Sequence, residues 1–289
     1  MITLPVMAAG KVHFNGRIVP ADEARVSISD AAFLHGASAF TTMLAHNGVV
    51  FRLDRHLDRL LETVQLLDLR TTATAEGLTA ATRDLLTANE IAEARVRITL
   101  SPGSIRGGGP TTVITADPLP DYPAEWYDKG IGVVVSSFRQ GGTDPSYGHK
   151  TGCYLPRVLA RQEAAAKGFD EALWYTADNR LAEACFCNVF LVVGGVVYTP
   201  PRSTPVLPGI VREAVLELCG TLGLAYHDDK PLTVREMLAA GEMFLTSSCA
   251  GVRPVVRVEG HAVGEERPGE VTRKIMSAYR ELLDRECST

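Results

Sequence analysis

Between Ser146 and Glu183 the chain reads SYGHKTGCYLPRVLARQEAAAKGFDEALWYTADNRLAE, and no other stretch narrows the possible folds as much. Lys150 stands alone in a Gly-containing loop flanked by aromatic residues. Leu155, Val158, Leu159 and Ala166 then fall at helical spacing, which predicts an amphipathic helix. A strand with few charges is expected from Glu171 to Tyr175, with a turn at Asp178-Asn179 that brings the chain back to Glu183 at the edge of another apolar run. One lysine and one carboxylate therefore lie near strand ends, where a core can hold both. Judged by its immediate neighbours His149 and Thr151, Lys150 is an ordinary surface lysine, and Glu183 a strand-end surface glutamate. A chemical role for either depends on what accompanies them.

The 289 residues suffice for two domains of ordinary size. A hydrophobic fraction of 46% with 22% charged residues is that of a soluble globular protein. The formal net charge of −5 and the lack of any basic run argue against nucleic-acid binding. The apolar start MITLPVMAAGKVHF has no basic region before it and is too short and interrupted for a signal peptide or membrane span, so a cytoplasmic protein is expected. The six cysteines follow no metal-finger spacing, and no metal site is expected. Cys185 and Cys187 alternate along an expected strand and read as small buried apolar residues facing one side.

In chain order, Asn15-Gly16 and Asn47-Gly48 each separate two short apolar runs, the signature of type I′ hairpins. Asp54 is placed to cap a helix carrying Leu57, Leu60, Leu61, Val64 and Leu67 on one face, and a second helix is expected over about residues 75–88. Strands follow at ARVRITLS and TTVITA. The proline-rich DPLPDYPAEWY reads as a connection, giving a small α+β domain over residues 1–117, a linker over 118–129 and a larger α/β domain over 130–289. The larger part opens on the Val-rich strand GIGVVVSSF and later holds the hairpin VFLVVGGVVYTP, a helix from about Ile210, the strand EMFLTSS and a closing amphipathic helix.

Lys150, the stretch LAEACFCNVFLV around Glu183, TPPRSTPVLPGIVRE and EMFLTSSCAGVRPV, in that order, resemble the fold-type IV family of pyridoxal-phosphate enzymes. That family includes branched-chain and D-amino-acid aminotransferases, R-selective amine transaminases and aminodeoxychorismate lyases. The resemblance runs from about Phe14 to the C-terminal helix, and no single motif carries it. It implies an α/β protein: a small α+β domain, a larger domain with a barrel-like sheet, pyridoxal 5′-phosphate in the cleft between them, and a homodimer in which loops of one subunit reach the other's site.

Residue by residue, the resemblance makes Lys150 the Schiff-base lysine, a nucleophile that must shed its proton to act. Glu183, in E-x-x-x-x-N-V-F with Asn188 at the family's asparagine, would face the pyridine nitrogen and keep it protonated. Pro208-Gly209 opens a helix whose Ile210 and Val211 amides suit a phosphate dianion, although the family carries Thr where this chain has Val211. Ser247 and Ser248 match the Gly-Thr pair that closes the phosphate cup, and Ser248 restores a hydroxyl. Arg59, in H-x-x-R-L, resembles the phosphate-binding arginine, with His56 read as structural. Tyr154 corresponds to the tyrosine that bonds the cofactor's phenolic oxygen in branched-chain relatives, one residue closer to the lysine here. Phe40 and Thr42 would line the substrate site, and Arg106, before Gly107-Gly108-Gly109, would catch a carboxylate from a mobile loop.

The function implied is a ping-pong transamination between an α-amino acid and a 2-oxo acid. A lyase that releases pyruvate and 4-aminobenzoate from aminodeoxychorismate shares the proton transfer, and Phe40-Thr41-Thr42 with RITLSPGSIRGG resembles such lyases. LPGIVRE and the tyrosine after the lysine resemble branched-chain aminotransferases. A scaffold that has lost activity and only binds the cofactor would tolerate Cys153 and Val211, but Lys150, Glu183 and Arg59 all remain. Substrate side chain and L or D handedness stay open at this level.

Overall fold

The protein was studied as a computed structural model that describes residues 10–142 and 144–288. Residues 10–120, with His149–Cys153 and residues 283–288, pack as one compact unit; residues 121–142 and 144–148 with Tyr154–Leu282 pack as another.

The first unit contains β1 (Lys11–Phe14), β2 (Arg17–Pro20), α1 (Ala31–His35), β3 (Ala39–His46), β4 (Val49–Val50), α2 (Leu53–Leu66), α3 (Ala75–Asn89), β5 (Ala94–Ser101) and β6 (Thr111–Pro118). Its six strands form an antiparallel sheet in the order β2-β1-β6-β5-β3-β4. Asn15 and Gly16 (φ 48° and 87°) and Asn47 and Gly48 (φ 51° and 78°) both adopt the positive φ of a type I′ turn. Alternation along β3, β5 and β6 turns Met43, Val96, Ile98 and Ile114 toward Leu57, Leu60 and Val64 of α2 and Leu78 and Leu85 of α3. The opposite face carries Phe40 paired with Thr99, and Thr42 paired with Arg97. One capping expectation changes. The residue preceding α2 is Arg52, at φ 48°, and Asp54 lies inside the first turn, where its charge faces the positive end of the helix dipole.

The second unit contains α4 (Glu125–Asp128), β7 (Ile131–Gln140), α5 (Leu155–Ala166), β8 (Glu171–Thr176), β9 (Leu181–Ala184), β10 (Asn188–Val193), β11 (Val196–Tyr198), α6 (Ile210–Thr221), β12 (Tyr226–His227), α7 (Val234–Leu238), β13 (Glu242–Ser247), β14 (Gly251–Val258), β15 (His261–Ala262) and most of α8 (Glu270–Glu286). Its mixed sheet runs β12-β11-β10-β13-β14-β7-β8-β9, with β15 beside β14. The parallel pair β7–β8 requires a crossover, and α5 lies within it. Only residues 185–187 separate β9, at one edge of that order, from β10, third from the other, so the sheet must curl on itself into the expected barrel-like form. Its inside is filled by Ile131, Val133, Leu173, Val189, Leu191, Met243, Leu245 and Val255.

Two expectations are corrected here. In α5 the buried positions are Ala160 and Ala164, against Val134, Ala172 and Trp174, while Leu155 is 66% and Leu159 42% exposed. Small residues are needed where the helix crosses close over the strands, and the leucines face away. Cys185 and Cys187 do not alternate along a strand: they occupy the tight β9–β10 connection, closed by the Ala184 N–H on the Cys187 carbonyl at 2.8 Å. Both thiols are buried, as read, and burial raises both above the ordinary cysteine range.

Candidate active site

Each unit carries some of the candidate residues. In the first, residues 149–153 are stitched to the start of β3: the Phe40 N–H donates to the Lys150 carbonyl at 2.9 Å and the Gly152 N–H to the Ser38 carbonyl at 2.8 Å. This fixes the Lys150 backbone and sets its Nζ 4.9 Å from the centroid of the Phe40 ring. The Arg97 guanidinium stands over the same ring at 3.6 Å. Sequence reasoning missed Arg97; its alternation with the apolar residues of ARVRITLS puts it on the Phe40 face.

Arg59 is 8% exposed on α2. Its Nη2 donates to Thr41 Oγ1 at 3.2 Å and lies 3.4 Å from His56 Nδ1, while Thr41 Oγ1 is 3.0 Å from the same His56 nitrogen. Burial, and after it the charges of Arg59 and Lys150, hold His56 well below the ordinary histidine range, so the ring is neutral. A neutral Nδ1 accepts from the Thr41 hydroxyl, which accepts from Arg59, and the guanidinium is thereby oriented. Thr42, one residue on, points to the other face, opposite Arg97. Arg106 is exposed. Its loop is anchored at the base: Asp30 accepts from Ser101 Oγ (2.5 Å) and Thr111 Oγ1 (2.7 Å). Burial would raise Asp30, but these bonds and the Ala32 N–H hold its carboxyl below the usual range.

In the second unit Glu183 is 4% exposed on β9 and both of its oxygens are engaged. Oε1 accepts from Arg157 Nη2 at 2.5 Å and Gln140 Nε2 at 3.2 Å; Oε2 accepts the backbone N–H of Leu207 at 3.0 Å. Arg157 and Gln140 were not foreseen. The available signal was helical: Arg157, Ala160 and Ala164 form an i, i+3, i+7 stripe that heads straight into the core. Beyond Leu207 the chain enters α6 through Gly209, whose N-cap position makes no side-chain hydrogen bond, so the amides of Ile210 and Val211 open an uncapped helix. Asn188 braces this entry: its Nδ2 donates to the Leu207 carbonyl at 2.9 Å, and a Cβ on Gly209 would collide with its Oδ1. Ser247 ends β13 and Ser248 begins the turn into β14, both half-buried. Tyr154 stacks on Phe186 at 5.9 Å and is 5.7 Å from the Arg157 guanidinium.

These residues fit a phosphorylated pyridine. A buried carboxylate and an uncapped helix N-terminus are joined through Leu207, and Gln140 Oε1, buried beside Glu183, has no hydrogen-bond partner among the described residues. Among the described residues no group of three or more His, Cys, Asp or Glu side chains could hold a metal.

The family model described as "Amino-transferase class IV" matches residues 38–258. The chain belongs to the class IV aminotransferases. A branched-chain-amino-acid aminotransferase of Salmonella typhimurium is 32% identical, the match covering 94% of this chain and 92% of the relative. The crystal structure of the Escherichia coli branched-chain amino acid aminotransferase superposes with a TM-score of 0.91 at 29% identity over 97% of both chains. The branched-chain amino acid aminotransferase of T.th., solved with pyridoxamine 5′-phosphate, gives a TM-score of 0.91 at 26% identity, covering 97% of this chain and 96% of that one. As a class IV aminotransferase of this fold, the chain is an enzyme that moves an amino group between an α-amino acid and a 2-oxo acid.

Proposed function

We propose that this aminotransferase holds pyridoxal 5′-phosphate with Glu183 at the ring nitrogen, the α6 amides of Ile210 and Val211, Ser247, Ser248 and Arg59 at the phosphate, and Lys150 at the reacting carbon. The observation that carries this reading is the Glu183 carboxylate, buried and held by three donors with Oε2 taking only the Leu207 N–H, bonded to the residue that leads into an uncapped helix. When bound, the cofactor supplies an aldehyde carbon that receives the amino group and a ring that accepts electron density from it. The protein supplies the rest. Lys150 Nζ takes the proton from the substrate Cα and returns it on the other side of the transfer. The Phe40 ring packs against that amine, and the Arg97 guanidinium over the same ring suits a substrate carboxylate. Asn188 and His56 orient the groups that touch phosphate.

Branched-chain amino acids, on which the relatives are named to act, are the first donors to test. None of the six cysteines is joined in a disulfide, in keeping with a reducing, cytoplasmic setting, and no helix among the described residues is long and apolar enough to cross a membrane. Exposed Val26, Ile28, Phe33, Leu34 and Ile105 on one unit, and Leu155, Leu159 and Phe186 on the other, support a homodimer.

The test is the visible spectrum of purified protein with amino donors added singly and no oxo acid. Conversion of the bound cofactor to its amine form by leucine, isoleucine or valine supports the reading. No conversion with any amino acid, together with pyruvate release from aminodeoxychorismate, would overturn it in favour of the lyase.

A further inference from the structure

Residues 149–153 are a short return of the chain to the first unit, and Lys150 is the second of them. From the lysine onward this segment is held by backbone: the Phe40 N–H on the Lys150 carbonyl, the Thr151 bridge to Ala39 and the Gly152 N–H on the Ser38 carbonyl, all at the start of β3. Before the lysine the fastening is a side chain. His149 Nδ1 lies 3.0 Å from Thr63 Oγ1 on α2. Thr63 is 3% exposed, and its hydroxyl donates to the Arg59 carbonyl at 2.9 Å. A hydroxyl has one proton, and a carbonyl cannot donate. The Arg59 contact therefore commits that proton, and toward His149 the Thr63 oxygen can only accept, which puts the imidazole proton on Nδ1. Burial, partly offset by the charge of Glu62, holds His149 below the ordinary histidine range, so at neutral pH the ring carries this one proton.

A lysine amine sits on a flexible four-carbon stem, and what confines its reach is a backbone fixed on both sides. Misplacing a reacting group by about 1 Å costs on the order of a hundredfold in rate. We propose that His149, donating through Nδ1 to Thr63, is a positioning residue for Lys150. It pins the chain just upstream of the lysine to α2, the helix that also carries Arg59, while β3 pins it downstream. The amine thereby keeps one reach toward the carbon it attacks and the proton it moves. His149 itself exchanges no proton with substrate, and a second proton on its Nε2 leaves the bond to Thr63 intact. The inference rests on the cofactor reading above, in which Lys150 is the reacting amine.

The test uses the full chain freed of cofactor, as wild type and as T63V, T63S, H149Q and H149N. The rate of covalent capture of pyridoxal 5′-phosphate, followed by absorbance, is set against the affinity for pyridoxamine 5′-phosphate, which has no aldehyde and so reports on the rest of the site without the Lys150 bond. T63V removes the hydroxyl, and H149Q carries its amide to the place of Nε2 instead of Nδ1. Each should slow capture by about tenfold, with the affinity for pyridoxamine 5′-phosphate within about threefold of wild type. T63S keeps the hydroxyl and H149N sets an amide N–H at the place of Nδ1, so both should capture within about threefold of wild type. Capture unchanged in T63V would overturn the proposal. A loss in H149N equal to that in H149Q would overturn it in favour of a role for Nε2, and affinity falling in step with capture would reduce the pair to a brace for the whole site. If T63V and H149Q do not fold, wild type decides: the imidazole nitrogen shifts of His149 should place its proton on Nδ1 at neutral pH, and a proton on Nε2 would overturn the proposal. A wild type that binds neither ligand, or whose captured cofactor is fixed by borohydride elsewhere than at Lys150, would instead sink the cofactor reading itself, and this inference with it.

Discussion

His56 shows how a residue's neighbours in space redefine it. From sequence it reads as a packing residue beside an apolar helix face; in the structure it is 1% exposed and takes the Thr41 hydroxyl that orients Arg59. Because its folded pKa is depressed, the unfolded chain takes up a proton near pH 6.5 that the folded chain refuses. The stability of the neutral ring is therefore complete above that pH and is lost as pH falls below it, at about 1.4 kcal/mol per pH unit for this single site. In His56→Gln, urea denaturation between pH 7 and 5 should show a correspondingly shallower loss than wild type. An unchanged pH slope would mean that His56 is charged in the fold. Lys150, Glu183 and Arg59 could be singled out from sequence because each sits in a local pattern in fixed order. For Arg157 and Arg97 periodicity gave only a face, and for Gln140 not even that, because what makes all three matter is a partner or ring 26, 43 and 57 residues away from Arg157, Gln140 and Arg97 in the chain.

At the scale of elements, the hairpins were legible because Asn-Gly steps admit few other conformations, and both turns show the expected positive φ. Strand order in the curled sheet was not, since it follows from pairings such as β14 with β7 that no local pattern encodes. The core-facing side of α5 was misread because its leucines are exposed and its alanines buried. The entry to α6 offers a direct test of what a glycine does there. Gly209 has an ordinary φ of −72°, so its requirement is steric: an added Cβ collides with Asn188 Oδ1. Gly209→Ala should push Asn188 off the Leu207 carbonyl, cost roughly 1–3 kcal/mol of stability and weaken pyridoxal phosphate binding by about tenfold, about 1.4 kcal/mol. Gly220, in the same helix, has nothing within 4 Å of the place a Cβ would occupy. Gly220→Ala should therefore add about 0.5–1 kcal/mol and leave binding untouched. Similar losses in both variants would make the helix backbone, not the Asn188 contact, the cause.

At the scale of the whole molecule the exposed apolar side chains demand an explanation. Leu155 and Leu159 lie one helical turn apart on the outer side of α5, and Phe186 stacks on Tyr154 just before that helix. A helix that buries alanines and exposes leucines inverts the usual arrangement of a monomer, whereas it is the arrangement expected of a face that a second copy covers. The proposed homodimer makes this quantitative. Light scattering after gel filtration should give twice the 31.1 kDa chain mass for wild type, and its unfolding midpoint should rise with protein concentration, because association stabilises by mass action. The double change Leu155→Glu with Leu159→Glu puts two like charges into that face without touching Ala160 or Ala164. It should shift the mass toward a single chain and abolish the concentration dependence, while the isolated chain keeps its secondary structure by circular dichroism. A wild type that runs as one chain at all concentrations would refute the homodimer and leave the inverted face of α5 to some other partner. A double variant that stays paired would move the interface to the patch around Phe33 and Ile105, where Phe33→Glu becomes the discriminating change.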